Sequence, residues 1–306
     1  MAKKKDSVKS GAKLIVLAIC VVIGIIVHYF YPELIERIGG LDKDIGTVST
    51  PADGTHLTVH YIDVGQGDAE MVVSPNGDVM LIDAGPNSSE DKLCEYISLC
   101  GVKTIKYLVL THPHEDHIGG ADKVINSFKV ENVIMPDVTS GTSTYKRTLE
   151  AIEKQNCNLI IANPKDQYTL DTAVFTILGP IEIDKSDLNN CSIVMRLDFG
   201  KDSFIFTADA EAKSEKLMLS ELPESYFKAD VLKVGHHGSS TSTSDEFLKA
   251  ISPSAAVISC GKDNEYGHPH SETVKKLDKM NVKYYRTDIL GTVKITSDGE
   301  NLSVGG

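Results

Sequence analysis

The segment that most constrains this chain is an apolar strand that runs out into histidines and carboxylates. Lys106–Thr111 (KYLVLT) has the make-up of a buried strand. The chain then reads His112-Pro113-His114-Glu115-Asp116-His117-Ile118-Gly119-Gly120 before helical periodicity sets in. Three of the ten histidines fall within six residues. Histidines at i and i+2 of an extended loop project to one side, so His112 and His114 can share an ion. Asp116 and His117, where the chain turns into the helix, can face a second ion. Imidazole and carboxylate donors suit zinc first, with manganese or iron if oxygen ligands dominate. Gly119 and Gly120 let the start of the helix pack closely against the loop. The competing account is a solvated polar loop, and so dense a set of metal-binding residue types argues against it.

Such a loop needs completing from elsewhere. Asp209 follows the strand Ser203–Ala208 (SFIFTA), where a strand-end carboxylate can bridge two ions or cap the helix beginning near Glu211. His236 and His237 follow Asp230–Val234. Neighbours at a strand end point oppositely, so one is expected as ligand, with His237 preferred, and the other to meet the substrate or pack. His268 and His270 follow a further strand and loop, and His268 is the better site candidate.

The rest of the pattern is a body of strands and helices. Short β runs at His56–Asp63, Ala69–Ser74 and Val79–Asp83 are separated by glycine-bearing turns, and Ser88–Cys100 reads as a helix. Helix, strand and helix follow at Ile118–Phe128, Asn132–Met135 and Ser143–Gln155. A second strand-rich block (Leu159–Ala162, Ala173–Leu178, Ser192–Phe199, Ser203–Ala208) is again followed by alternating helices and strands, closing with Lys283–Tyr285 and Gly291–Thr296. Two halves, each strands first and then alternation, predict an α+β fold of two face-to-face sheets with helices outside. No linker interrupts residues 55–306, which are expected to form one domain.

Charge narrows the function. The chain holds 31 basic and 43 acidic residues; Met1–Lys13 takes five lysines and one aspartate, leaving 26 and 42, a net of −16. A body that acidic repels a phosphate backbone at long range, which argues against nucleic-acid binding by a broad basic face. The six cysteines form no CxxC pair, so neither a zinc ribbon nor a disulfide framework is expected. After the N-terminal lysines, Leu14–Val27 is apolar apart from Gly24 and ends in His28-Tyr29-Phe30-Tyr31, about 18 residues able to cross a bilayer. No small-x-small cleavage site follows. Residues 1–31 are therefore expected to be a cytoplasmic basic tip and a single transmembrane helix, residues 32–54 a linker, and the body extracytoplasmic.

Seven segments in order carry a family likeness: Tyr61–Ala69 (YIDVGQGDA), Leu81–Gly85 (LIDAG), Thr111–Gly120, Asn189–Ser192 (NNCS), Thr207–Glu211 (TADAE), Val234–Ser239 (VGHHGS) and Tyr266–Pro269 (YGHP). Together they resemble the metallo-β-lactamase superfamily and, more narrowly, the hydrolase domain of ComEC-type competence proteins. The resemblance implies a four-layer αββα sandwich holding one or two divalent ions, with Asp209 bridging and a histidine of the His236–His237 pair as the later ligand. It implies that Asp83 buttresses the metal loop from behind. Many superfamily members carry a further metal-binding histidine where this chain reads Asn189-Asn190-Cys191-Ser192. That leaves one ion a ligand short or puts Asn190 in its place. The expected metal set is His112, His114, Asp116, His117, Asp209 and His237. Asp116, His236 and His268 are the candidate catalytic residues, and Asp63, Asp83 and Asn190 are expected behind the ligands or against substrate. The chemistry implied is phosphodiester hydrolysis on DNA or, as in teichoic-acid phosphorylcholine esterases, on an envelope polymer; a metal-stabilised binding module is the non-enzymatic alternative. The multi-span channel of full-length competence proteins has no counterpart here, so transport of DNA by this chain alone is not expected.

Overall fold

The computed structural model describes residues 53–305. The expected anchor and nearly all of the expected linker lie outside the described residues, among which no helix is long and apolar enough to cross a membrane. The first half supplies β1 (Leu57–Tyr61), β2 (Glu70–Val73), β3 (Val79–Ile82), β4 (Thr104–Val109), β5 (Lys129–Met135) and β6 (Asn158–Ile161). The second supplies β7 (Gln167–Leu170), β8 (Ala173–Gly179), β9 (Val194–Phe199), β10 (Asp202–Phe206), β11 (Val231–Lys233), β12 (Ala255–Ile258) and β13 (Lys283–Arg286). Each half begins as an antiparallel meander, β1-β2-β3 and β7-β8-β9-β10, and continues in parallel through β4-β5-β6 and β11-β12-β13. Parallel neighbours require crossovers, which is why helices appear only in the later part of each half. The closing strands β14 (Val293–Ser297) and β15 (Leu302–Gly305) return to the first sheet beside β1, giving sheets of eight and seven strands.

Strand alternation shows how the layers meet. Along β10, Phe204 and Phe206 enter a core shared with Val59, Tyr61, Met80 and Val109 of the first sheet. Ile205 points the other way, into a cluster with Met218, Phe247, Leu248 and Leu277. Those four lie on the helices of the second half: α5 (Ala212–Glu221), α6 (Asp245–Ile251) and α7 (Ser271–Lys279). In the first half, α1 (Glu90–Leu99), α2 (Glu115–Ile118), α3 (Ala121–Ser127) and α4 (Ser143–Gln155) make the crossovers, and α3 packs on both α1 and α4. The architecture is two sheets with helices, as the pattern predicts. Caps fix the helix ends: Thr142 Oγ1 accepts from Tyr145 N at 3.2 Å, and Ser244 Oγ from Phe247 N at 3.3 Å.

Two local features depart from the reading. The helix expected at Ile118–Phe128 is two pieces, parted at Gly119 and Gly120. Strands β7 and β15 and a short α8 (Thr287–Leu290) stand where none is expected. The five described cysteines are unpaired thiols, four of them buried.

Candidate metal centre

The parallel strands β3, β4, β10, β11 and β12 all end at one edge of the sandwich, and the loops that follow bring the site together. The chain bends at His112 and Pro113 after β4, His114 is the extended residue ahead of α2 (φ −74°, ψ 151°), and Asp116 and His117 occupy the helical turn. His114 Nδ1 lies 3.0 Å from His112 Nε2. His117 Nε2 is 3.2 Å from Asp209 Oδ2, and His237 Nε2 is 3.2 Å from Asp116 Oδ2 and 3.6 Å from Asp209 Oδ1. His112 Nε2 is 3.8 Å from Asp209 Oδ2. One atom each from Asp116, His117, Asp209 and His237 can be drawn within 4.8 Å of one another, which is the spacing of donors around a cation. Asp209 lies between this set and the His112–His114 pair.

The back of each imidazole explains which nitrogen faces forward. His117 Nδ1 donates to Asp83 Oδ2 at 2.7 Å, and Asp83 also accepts from Thr111 N (2.8 Å) and Thr111 Oγ1 (2.6 Å). Asp83 thus fixes both the ring and the strand end that carries His112. His237 Nδ1 donates to Ser259 O at 3.1 Å, with Asp68 Oδ1 also 3.1 Å away. His112 Nδ1 sits between the hydroxyls of Thr111 (3.2 Å) and Ser192 (3.3 Å). A proton on each Nδ1 leaves Nε2 as a lone pair aimed at the carboxylates, the arrangement that metal-binding imidazoles adopt.

The donor set fits divalent ions. His117 Nε2 and Asp209 Oδ1 are buried without a hydrogen-bond partner, and a buried acceptor left so is costly unless something positive meets it. Burial pushes His112 well below the usual imidazole range, with His117 beside it adding to the effect, so that ring is neutral. Burial acts the same way on His117 and His237, yet the carboxylates prevail: Asp209, Asp83 and Asp116 hold His117 well above its usual range, and Asp209, Asp68 and Asp116 bring His237 up to about 10. The site calls for positive charge. A second trio, Asp68, Asp83 and His117, also converges, but it lies on the Nδ1 side of His117, where Lys233 already supplies a cation 2.7 Å from Asp68. We assign that trio to support rather than to a further ion.

Tight backbone contacts hold the loops in register. Asp68 N donates to Asp116 O (3.2 Å), Gly85 N to Asp68 O (2.9 Å) and Gly120 N to Gly85 O (3.1 Å). A Cβ on Gly67 would strike Asp116 O, and one on Gly119 would strike Asn87 N and the Pro86 carbonyl carbon. Several site residues hold positive φ: Asp83 (57°), Ala208 (45°), His236 (50°) and His237 (54°). Each such residue costs on the order of 1–3 kcal/mol, tolerated where the surroundings dictate the conformation.

This turn corrects one expectation. His236 and His237 are not opposed strand residues but consecutive left-handed ones, and both rings reach Asp209: His236 Nε2 is 3.5 Å from Asp209 Oδ2. His237 is buried, while His236 is partly open and held by Thr241 Oγ1 (3.2 Å) and Glu211 Oε1 (3.5 Å). His268 stands at the mouth, its ring 5.7 Å from that of His236 and 6.1 Å from that of His237. Partial burial and the neighbouring histidines lower it to about 4, so it is neutral.

Two expected residues serve elsewhere. Asn190 does not stand in for a histidine: its Nδ2 donates to Asp187 Oδ2 (2.8 Å) and its Oδ1 accepts from Ser214 N (3.2 Å), tying the loop to α5. Ser192 faces His112 instead, and its hydroxyl also accepts from Asp209 N at 3.2 Å. Asp63 accepts from Gly65 N (3.1 Å) and pairs with Lys92 (3.0 Å), shaping the turn after β1. Conversely, Asp68, Ser192, Lys233 and Ser259 support the site without having been singled out. For Asp68 and Ser192 the signal was their place inside the quoted motifs.

Comparison with known proteins agrees with this geometry. The profile of the metallo-beta-lactamase superfamily matches residues 62–262. The chain is 33% identical over 254 residues to ComE operon protein 3 of Bacillus subtilis, covering 77% of this chain and 32% of that protein. It is 30% identical over 251 residues to Recombination protein 2 of Haemophilus influenzae, covering 80% and 29%. It thus spans about a third of the length of these relatives. Among solved structures, CmlA, a diiron beta-hydroxylase from Streptomyces venezuelae, aligns with a TM-score of 0.50 at 13% identity over 79% of this chain and 54% of CmlA. A metal-dependent hydrolase of the beta-lactamase superfamily aligns with a TM-score of 0.50 at 12% identity, covering 75% and 95%. At such identities the structural likeness concerns the fold alone. With the profile spanning the His112–His117 loop, Asp209 and His237, the chain belongs to the metallo-beta-lactamase superfamily, as a domain of the type found in ComE operon protein 3.

Proposed function

We propose that this chain is a metal-dependent phosphodiesterase acting on single-stranded DNA. The observation that carries the reading is the convergence of His112, Asp116, His117 and His237 around Asp209, in a chain whose relatives are named for competence and recombination. His112, His114 and Asp209 would hold one ion and Asp116, His117, His237 and Asp209 a second, with zinc the first choice by donor type and manganese the alternative. When bound, such ions neutralise phosphoryl oxygens and bring the pKa of water toward neutrality. The chain's own residues do the rest. Asp83, Ser192 and Ser259 keep the imidazoles turned forward. Asp116, the more open of the two central carboxylates, orients the attacking water. His236, steadied at Nδ1 by Glu211 and Thr241, presents Nε2 to the departing oxygen, and neutral His268 hydrogen-bonds an equatorial one. On the same reading residues 1–31 anchor the protein with its N-terminus in the cytoplasm, and residues 55–306 are the hydrolase domain on the outer face.

The test is hydrolysis of single-stranded DNA and bis(p-nitrophenyl) phosphate by the full chain, with and without chelator. Activity is expected to vanish on chelation, return with zinc or manganese, and fall at least about a hundredfold in His114→Ala with folding unchanged. Activity that survives both treatments would sink the reading. Turnover of a phosphorylcholine-bearing wall polymer but not of DNA would move it to the envelope.

A further inference from the structure

Beyond His268 the aromatic side chains continue to the surface. Tyr266 is 67% exposed, the most exposed large hydrophobic side chain among the described residues. Its ring stacks on that of His268, centroids 5.5 Å apart and planes 20° from parallel. His268 in turn meets the rings of His236 and His237. A series of rings therefore leads from a metal-ligand candidate to solvent, and it ends in a flat aromatic face.

The loop that presents this face is built to hold it. Asn264 Nδ2 donates to Gly261 O (2.8 Å) and His268 O (2.7 Å), and its Oδ1 accepts from His268 N (2.9 Å). Gly261 N donates to Gln66 Oε1 at 3.0 Å, Gln66 Nε2 approaches His268 Nδ1 at 3.4 Å, and His270 Nε2 donates to Tyr266 O at 3.1 Å. Six polar contacts thus fix a tyrosine whose own side chain gives the fold little burial. A phenol ring with one face backed by imidazole and the other in water is a stacking surface.

We propose that Tyr266 is a nucleobase platform that stacks one base of a single-stranded nucleic acid next to the scissile phosphodiester. This rests on the phosphodiesterase reading and specifies how the substrate is recognised. A base attached to the nucleotide beside the reacting phosphate lies within reach of a ring two contacts away from the ligand cluster. Double-stranded substrate keeps its bases stacked within the helix, so the platform selects single strands. Charge points the same way: Lys262 in this loop is outnumbered by Asp263 and Glu265, so the loop cannot grip a phosphate backbone and must recognise the base. A quaternary ammonium would need several rings enclosing it. Tyr266 and His268 lie nearly parallel and offer a plane instead.

The experiment uses the full chain loaded with zinc or manganese, and Tyr266→Ala and Tyr266→Phe. The substrates are an oligothymidylate, a strand of equal length with base-free (tetrahydrofuran) sugars, and p-nitrophenylphosphorylcholine. Tyr266→Ala is expected to raise KM for the oligothymidylate about tenfold to a hundredfold more than for the base-free strand, with kcat moving less, and Tyr266→Phe to restore it. Anisotropy of fluorescein-labelled strands, with and without added ions, reads the same base-dependent loss in binding. Equal losses on both strands, or no rescue by phenylalanine, would overturn the platform while the wild type's cleavage of the base-free strand left the phosphodiesterase reading standing. A wild type that cleaves and binds neither strand would overturn both the platform and the single-stranded-DNA reading, and turnover of the choline ester alone would then move the phosphodiesterase to the envelope.

Discussion

Lys233 is fully buried, and its ammonium lies 2.7 Å from Asp68 Oδ2 and 3.1 Å from Val234 O, beneath the candidate ligand His237. Glu70 lies nearby; burial, reinforced by Asp68, pushes its carboxyl well above the usual range, so it is neutral and the charge pair is Lys233 with Asp68. Removing one partner strands the other. Lys233→Met is expected to cost about 3–5 kcal/mol, read as a lowered denaturation midpoint. Adding Asp68→Leu should recover most of that stability, since a buried pair is replaceable by apolar side chains. It should not recover the orientation of His237, so zinc affinity should stay about 10- to 100-fold down in a competition titration. A double variant that binds zinc normally would show that Ser259 O alone orients the ring. The residue also shows where sequence reading stops. Histidine and aspartate at strand ends announce metal chemistry by type, so positions 112, 114, 116, 117, 209 and 237 are legible. A lysine within Val231-Leu232-Lys233-Val234 looks like a surface position until both faces of its strand are known to be covered. Ser192 and Asn190 share one motif, and only the fold reveals which faces His112.

The short α2 and α3 illustrate the same limit at the level of elements. Apolar periodicity predicts one helix because Ile118, Ala121, Val124 and Ile125 are all buried on one side. The break at Gly119 and Gly120 is imposed from outside, by the Ala84–Asn87 loop and Glu90 pressing on the backbone. β7 and β15 leave little trace in the sequence for a related reason: they are edge strands, short and partly exposed, with little alternation to read. The close approach at Gly119 gives a prediction. A methyl group there meets backbone, which cannot swing aside, so Gly119→Ala is expected to cost about 1–3 kcal/mol and to displace Asp116 and His117 enough to weaken zinc binding. Gly141→Ala, which meets nothing within 4 Å, is the control and should stay within about 0.5 kcal/mol. Denaturant melts and zinc titration of the two variants measure this. Equal behaviour would mean that the α2 turn has slack that the contacts do not suggest.

For the molecule as a whole, the αββα sandwich places strands of both halves around one acidic edge, which couples protons, ions and stability. Ions and protons compete for the same nitrogen lone pairs. In chelated protein, burial opposes a proton on His237 and His117, but Asp209 and its neighbours retain it, His237 with a value of about 10. Both values lie above the unfolded one of about 6.5. Their contribution to stability is therefore complete below about pH 6.5 and drains away as pH rises toward 10. Ion binding displaces these protons, so affinity should climb with pH by up to about tenfold per unit for each proton released. Stabilisation by saturating ions follows that affinity. Groups that touch no ion shift both forms alike and cancel in the difference. The gap in Tm between zinc-loaded and chelated protein should accordingly widen from about pH 6 to about pH 8, with proton release detectable in weakly buffered titrations. A gap that stays constant, with no protons released, would mean that ions bind away from His117 and His237, and the centre assembled at this edge would have to be sought elsewhere on the molecule.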